Sequence, residues 1–210
     1  HALQPHKVTF AHDVEYQPDL LSAIDAIKPT VLIGVSTIHG AFDERVVRKM
    51  AALNPRPIIM PLSNPTSKAE CTFEQAVTWT DGRAVFASGS PFPAMTYRGK
   101  TLHPAQANNA YVFPALGHAA VLAGAREVSD DAFLAAAEAL SAMTTEAELA
   151  AGKLFPDFDS IREVSHDLTA RVCELMERDG QGGKPAGVMD WKKYVDSQFW
   201  EPEPETPSKL

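Results

Sequence analysis

Three short stretches and one asparagine pair hold the side chains of this sequence best suited to chemistry. They are Gly34-Val35-Ser36-Thr37-Ile38-His39-Gly40, Ser63-Asn64-Pro65-Thr66, Ser88-Gly89-Ser90-Pro91-Phe92 and Asn108-Asn109. The first three are small, polar and glycine-containing, which lets backbone approach a flat ring or a phosphate closely. The same residue types also merely turn a chain, and any one stretch taken alone reads that way. Three of them, each following an apolar run, favour binding. A carboxamide donates and accepts at once without charge, so Asn64, Asn108 and Asn109 can fix a carboxylate or hydroxyl without titrating. Asn108-Asn109 also suits the N-cap of a helix starting near Ala110. A helix N-terminus itself attracts anions, so capping and binding both stay open for this pair.

The elements between these stretches alternate. Leu20, Leu21, Ile24 and Ile27 form a short helical stripe that Lys28-Pro29 closes. Thr30–Val35 is a continuous apolar run, expected as a strand covered on both faces. Val46, Val47, Met50 and Leu53 give a helical face ended by Asn54-Pro55, and Pro57–Leu62 is a second buried strand. Ser67-x-x-Glu70 reads as a capping box opening the next helix, and Arg83–Ala87 as the third strand. Such a βαβαβ run makes a parallel sheet with right-handed crossovers. Ligands of open parallel sheets bind beyond the carboxyl ends of the strands, where all three polar stretches fall.

After the Pro/Gly-rich stretch from Ser90 to Pro104 the strand signals stop. Ser129-Asp130-Asp131 caps a helix with the stripe Phe133, Leu134, Ala137 and Leu140. Ile161, Val164, Leu168, Val172 and Leu175 make a long amphipathic helix. Gly180 to Gly187 is expected as a flexible joint, and the Pro- and Glu-rich end of the chain as disordered.

Composition bounds the reading. With 210 residues, 45% hydrophobic, the chain can bury the core of one domain or two small ones. No apolar stretch approaches the roughly 18–20 residues of a membrane span, so a soluble protein is expected. A net charge of −8, with no run of five Lys/Arg, argues against a nucleic-acid surface. Cys71 and Cys173 lack a Cys-x-x-Cys partner and are expected as reduced, buried thiols in an intracellular protein. The histidines show neither a His-x-x-x-His pair nor zinc spacing with cysteine, so no complete metal site is expected. The chain opens at His1 and first reaches methionine at Met50, without a basic-then-apolar leader, and truncation is the preferred explanation.

Longer runs carry a resemblance. Ile27-Lys28-Pro29-Thr30-Val31-Leu32-Ile33-Gly34-Val35, Arg56-Pro57-Ile58-Ile59, Leu62-Ser63-Asn64-Pro65-Thr66-Ser67-Lys68-Ala69-Glu70-Cys71, Gly82-Arg83-Ala84-Val85-Phe86-Ala87-Ser88-Gly89-Ser90-Pro91-Phe92 and Asn108-Asn109-Ala110-Tyr111-Val112-Phe113-Pro114 closely resemble the malic enzymes. The likeness runs from about Phe10 to about Asp179, and more loosely into Trp191–Trp200. The family oxidises L-malate at C2 with NAD(P)⁺, decarboxylates the oxaloacetate and releases pyruvate, using Mn²⁺ or Mg²⁺. The implied fold is α/β, the second half of a Rossmann-like doubly wound parallel sheet followed by a helical block. A G-x-G-x-x-G turn is absent, so the first half of such a sheet lies outside the chain.

The resemblance implies three segments. Residues 1–107 would be the C-terminal half of the cofactor-binding domain, 108–189 a helical segment packing on an upstream catalytic domain, and 190–210 a tail. It implies substrate-binding roles for Asn64 and Asn109. It places Gly34, Val35, Ser36, Asn64 and Asn108 at the cofactor, with Ser90 read as a turn. Lys7 matches a position where lysine accompanies NADP preference, since an ammonium can pair with a 2′-phosphate. NADP is therefore expected over NAD. The catalytic base, acid, malate-gripping arginine and acidic metal ligands have no counterpart here, so no catalytic residue is expected in this chain. Tyr16, Tyr97, Tyr111 and Lys68 lack the matching context, Asp13, Asp157 and Asp159 read as surface or cap residues, and His39 reads as solvated. The expected function is oxidative decarboxylation of malate, with this chain inactive alone and a homo-oligomer when complete. Cytoplasm is expected before mitochondrion or plastid. The alternatives are a shortened, non-catalytic binding or assembly module and, less well matched, another 2-hydroxyacid dehydrogenase.

Overall fold

The computed structural model describes residues 4–201. Helix α1 (Pro5–Val8) is one exposed turn. Helix α2 (Leu20–Ile27) starts where the Asp19 carboxylate accepts the Ser22 N–H at 2.8 Å. It closes where Lys28 turns left-handed, with φ of 52°. Strand β1 (Val31–Gly34), helix α3 (Glu44–Leu53), strand β2 (Ile58–Pro61), helix α4 (Phe73–Trp79) and strand β3 (Val85–Ser88) follow in alternation. The three strands lie parallel in chain order, Leu32 beside Ile59 and Ile59 beside Phe86.

That register puts Leu32, Ile59 and Phe86 on one face, where Ile24, Val47, Met50, Phe73 and Val77 of α2, α3 and α4 bury it. Helix α3 presents Val46, Val47, Met50 and Ala51 to this core, as 3.6-residue spacing requires. The Arg83 guanidinium donates to the carbonyls of Ala51, Asn54 and Pro55, satisfying the otherwise unpaired end of α3.

Two expectations fail here for physical reasons. The first strand is not covered on both faces: Val31 and Ile33 are 38% and 56% exposed, because β1 is an edge strand and α2–α4 pack only on the Leu32 side. Ser67 and Glu70 form no capping box. The chain makes a 3-10 turn at Thr66–Lys68, and α4 begins later, at a capping box between Thr72 and Gln75. Glu70 is instead fully buried.

Strand structure also continues past Ser90. Strands β4 (Met95–Tyr97) and β5 (Lys100–Leu102) form a hairpin whose two turn residues, Arg98 and Gly99, both have positive φ (48° and 79°). Such two-residue turns match the strand twist. Strand β6 (Ala105–Gln106) then adds to the parallel sheet beside β3.

The rest is helical: α5 (Phe113–Leu122), α6 (Asp130–Ala142), α7 (Glu146–Ala150), α8 (Ile161–Arg178) and α9 (Trp191–Gln198). Helix α8 is the axis of this block, with Leu168, Val172, Cys173 and Met176 fully buried. The Ser129 cap of α6 is present, but its buried stripe is Ala132, Ala136 and Leu140. Small side chains at four-residue spacing let α6 approach α8, and Phe133 and Leu134 are left 52% and 58% exposed. The first half of the Gly180–Gly187 segment is hydrogen-bonded to its neighbours. Gln181 and Gly182 donate to Met176 O, Gly183 donates to Ala123 O, and Arg126 donates to Gly180 O. The end of the chain expected to be disordered lies outside the described residues. No helix among them is long and apolar enough to cross a membrane.

Candidate functional site

The parallel ladder runs on past the strands and sets the polar stretches in one row. Leu62 N–H donates to Gly34 O at 2.8 Å, Gly89 N–H to Pro61 O at 3.2 Å and Ala107 N–H to Ser88 O at 2.9 Å. The Gln106 side chain adds a bond to Gly89 O at 3.2 Å. Four successive segments, 34–40, 62–66, 88–92 and 107–109, therefore lie side by side at the carboxyl end of the sheet. This is where α/β sheets bind their ligands.

Within that row Asn64 is exposed but oriented. Its Oδ1 accepts from the Ser90 hydroxyl at 2.5 Å, and Ser88 Oγ donates to Ser90 O at 2.7 Å. One Nδ2 hydrogen bonds weakly to Leu62 O at 3.4 Å, which leaves the other for a ligand. Gly89 makes the approach possible: a Cβ there would sit 2.3 Å from Leu62 O and 2.8 Å from Asn64 Nδ2. Ser90, read from the sequence as a turn, is thus a direct support of Asn64. Its Ser-Gly-Ser-Pro setting disguised that role as turn chemistry.

The asparagine pair divides its work. Asn108 Oδ1 accepts the Ala110 N–H at 3.0 Å and caps the 3-10 turn Asn109–Tyr111 that leads into α5. Asn109 is exposed, and among the described residues its side chain makes no hydrogen bond. Both line a cavity of roughly 560 Å³ walled by Leu62, Phe113, Phe133 and Phe155. Leu62 joins this cavity to the loop of Asn64. Tyr111, at its floor, donates to Pro156 O at 2.7 Å and stacks on Phe155, and burial raises its phenol pKa.

Gly34 ends β1, and Val35 and Ser36 follow it exposed at the same edge. Thr37 has φ of 59°, a costly conformation for a β-branched residue, and its N–H donates to Ser63 Oγ at 2.9 Å. Lys7 lies in α1, exposed, and the hydrogen bonds described for residues 4–17 are all local. No described bond ties it to the strand ends. His39 is exposed. Cys71 and Cys173 are buried and free, and burial pushes each thiol up to about 12. Among the described residues no three His, Cys, Asp or Glu side chains converge.

A parallel sheet flanked by helices, with a glycine-spaced row of loops at its carboxyl edge, defines an α/β, Rossmann-like module. The family model for the NAD-binding domain of malic enzyme matches residues 1–176, and the chain belongs to that family. It is 52% identical over 201 residues to NADP-dependent malic enzyme 3 of Arabidopsis thaliana, covering 96% of this chain and 34% of the relative. It is 42% identical over 203 residues to the mitochondrial NAD-dependent malic enzyme of Ascaris suum, covering 97% and 32%. The crystal structure of Entamoeba histolytica malic enzyme shares the fold at a TM-score of 0.63 and 21% identity, covering 84% of this chain and 32% of that one. The chain thus spans about a third of the length of the curated relatives it matches. Its fold is the α/β, Rossmann-like architecture of a nicotinamide-cofactor domain.

Proposed function

We propose that these residues act as the C-terminal part of a malic enzyme, which converts L-malate and NAD(P)⁺ to pyruvate, CO2 and NAD(P)H. The observation that carries this reading is the Asn109 amide, unengaged among the described residues, beside an apolar cavity and two strand ends away from an Asn64 held by Ser90. Asn109 would donate to a carboxylate oxygen of malate. Asn64 would bridge substrate and cofactor through its free Nδ2 hydrogen, and Asn108 would hold the loop while lying near the carboxamide of the ring. Gly34, Val35 and Ser36 would run along the cofactor. When bound, the nicotinamide accepts the hydride from C2 of malate.

Phe113, Phe133 and Phe155 keep the cavity wall apolar, which strengthens the hydrogen bonds made to a carboxylate there. Proton transfer needs a tuned acid and base, and polarisation of the C2 oxygen needs Mn²⁺ or Mg²⁺. Both would come from residues upstream of this chain. We assign residues 1–107 to the cofactor domain, 108–189 to the block that packs on the upstream part, and 190–210 to a tail whose described part, α9, folds back on α8 through Trp191 and Val195. NADP over NAD rests on Lys7 and on the NADP-dependent relatives. Homo-oligomerisation and an intracellular, cytoplasmic setting complete the proposal, the latter supported by two buried thiols without a disulfide.

The test is turnover of malate with NADP⁺ and Mn²⁺. Full-length enzyme carrying this segment is expected to form NADPH, and the 210-residue chain alone is not. Robust turnover by the isolated chain would sink the division of labour.

A further inference from the structure

Glu70 is fully buried, and among the described residues no cation pairs with it. Burying a carboxylate is costly unless hydrogen bonds replace its water. Here every replacement comes from the two loops at the cofactor edge. Oε1 accepts from Ser63 Oγ at 2.5 Å, from Ser36 N–H at 3.2 Å and, at the 3.5 Å limit, from Ser36 Oγ. Oε2 accepts from Ser63 N–H at 3.4 Å. The Ser63 hydroxyl in turn accepts the N–H of Thr37, the strained residue of the first loop. The Glu70 backbone completes the wrap: its carbonyl accepts from Phe42 N–H at 3.0 Å, and that of Ala69 from Gly40 N–H at 3.3 Å.

We infer that Glu70 is a positioning residue, which pins the loop of Ser36 to the loop of Ser63 and so holds Asn64 and the first strand end in the shape that receives the cofactor. The inference rests on the reading of this edge as the cofactor site. It gives Gly34 a second reason: a Cβ there would lie 2.5 Å from Glu70 Cδ, so the strand must end in glycine for the carboxylate to reach both loops. An apolar residue at position 70 would satisfy the core but leave two backbone N–H groups and the Thr37 strain without support. Glutamine keeps the size and replaces one acceptor oxygen with a donor facing an N–H.

Hydrogen exchange and cofactor titration on the full-length enzyme test this together, comparing wild type, Glu70→Gln and Glu70→Asp. Glu70→Gln is expected to speed exchange of residues 35–40 and 62–66 about tenfold, leave α8 protected, and weaken NADPH binding about tenfold. Malate KM measured at saturating cofactor should rise as well, since Asn64 is proposed to bridge substrate and cofactor, while kcat at saturation of both should move less. Glu70→Asp, which keeps the charge but shortens the reach, should fall between the two. Unchanged exchange in these loops, or faster exchange spread equally through α8, would overturn the inference, as would faster loop exchange with unchanged NADPH affinity. Failure of the wild-type enzyme to bind NADPH at all would instead overturn the cofactor-site reading, while the exchange result would still report on the loops.

Discussion

Ser90 Oγ and Asn64 Oδ1 meet at 2.5 Å across two neighbouring strand ends, so the exposed Asn64 amide is held by a residue 26 positions later. This bond selects which side of the carboxamide points outward. Removing the hydroxyl frees the amide to flip. In the full-length enzyme, Ser90→Ala is expected to lower kcat/KM for malate roughly 3- to 10-fold, the rate equivalent of a neutral hydrogen bond worth about 0.5–1.5 kcal/mol. Ser90→Thr, which keeps the donor, should restore most of it. Steady-state kinetics of the two variants checks this, and equal activity of Ser90→Ala and wild type would contradict it.

Gly34 and Gly117 make opposite predictions for the same substitution. Gly34→Ala drives a methyl against Glu70 Cδ and Cγ at 2.5 and 2.7 Å, an overpacking expected to cost about 1–3 kcal/mol. Gly117 sits in α5 with nothing within 4 Å of its would-be Cβ. Gly117→Ala should therefore stabilise by about 0.4–1 kcal/mol, through a less flexible unfolded chain. Denaturant midpoints of the two variants decide it.

The C-terminal end of the helical block should respond to acid. His118 of α5 and His166 of α8 both pack on the Phe199 ring, with centroids 4.8 and 3.5 Å away, and Asp196 lies 3.1 Å from His166 Nδ1. Partial burial, and secondarily the charge of His166, hold the His118 pKa below its ordinary 6.5. The unfolded chain then binds this proton more readily than the folded one. The stabilisation is present above pH 6.5 and is lost as pH falls through the lowered folded value. Melting temperature should drop as pH is lowered below 6.5, and by less in His118→Gln. An equal drop in both proteins would show that another group is responsible.

The three parallel strands were legible because apolar runs at 30–35, 57–62 and 83–87 are separated by helical stripes and by Pro or Gly stops. Loop chemistry beyond them was only half legible. Asn64, Asn108 and Asn109 could be singled out, since amide chemistry shows in residue type alone. Glu70 and Ser90 could not, because their roles depend on partners on other strands, Ser36 and Ser63 for one and Asn64 for the other. Ser67 and Glu70 even matched a capping pattern, and the tertiary pull on the carboxylate overrode it. Strand β6, two residues long, is below any periodic signal, and the Arg98-Gly99 hairpin was missed because the surrounding prolines and glycines masked the alternation of its two three-residue strands.

Malate affinity of an Asn109 variant tests the central claim most directly, because Asn109 is a proposed substrate residue whose side chain makes no hydrogen bond among the described residues. In the full-length enzyme, Asn109→Ala should raise malate KM at least about tenfold, for loss of a hydrogen bond to a charged group worth about 1.5–3 kcal/mol. NADPH affinity and melting temperature should stay near wild type. An unchanged malate KM would contradict the assignment of this strand end to the substrate.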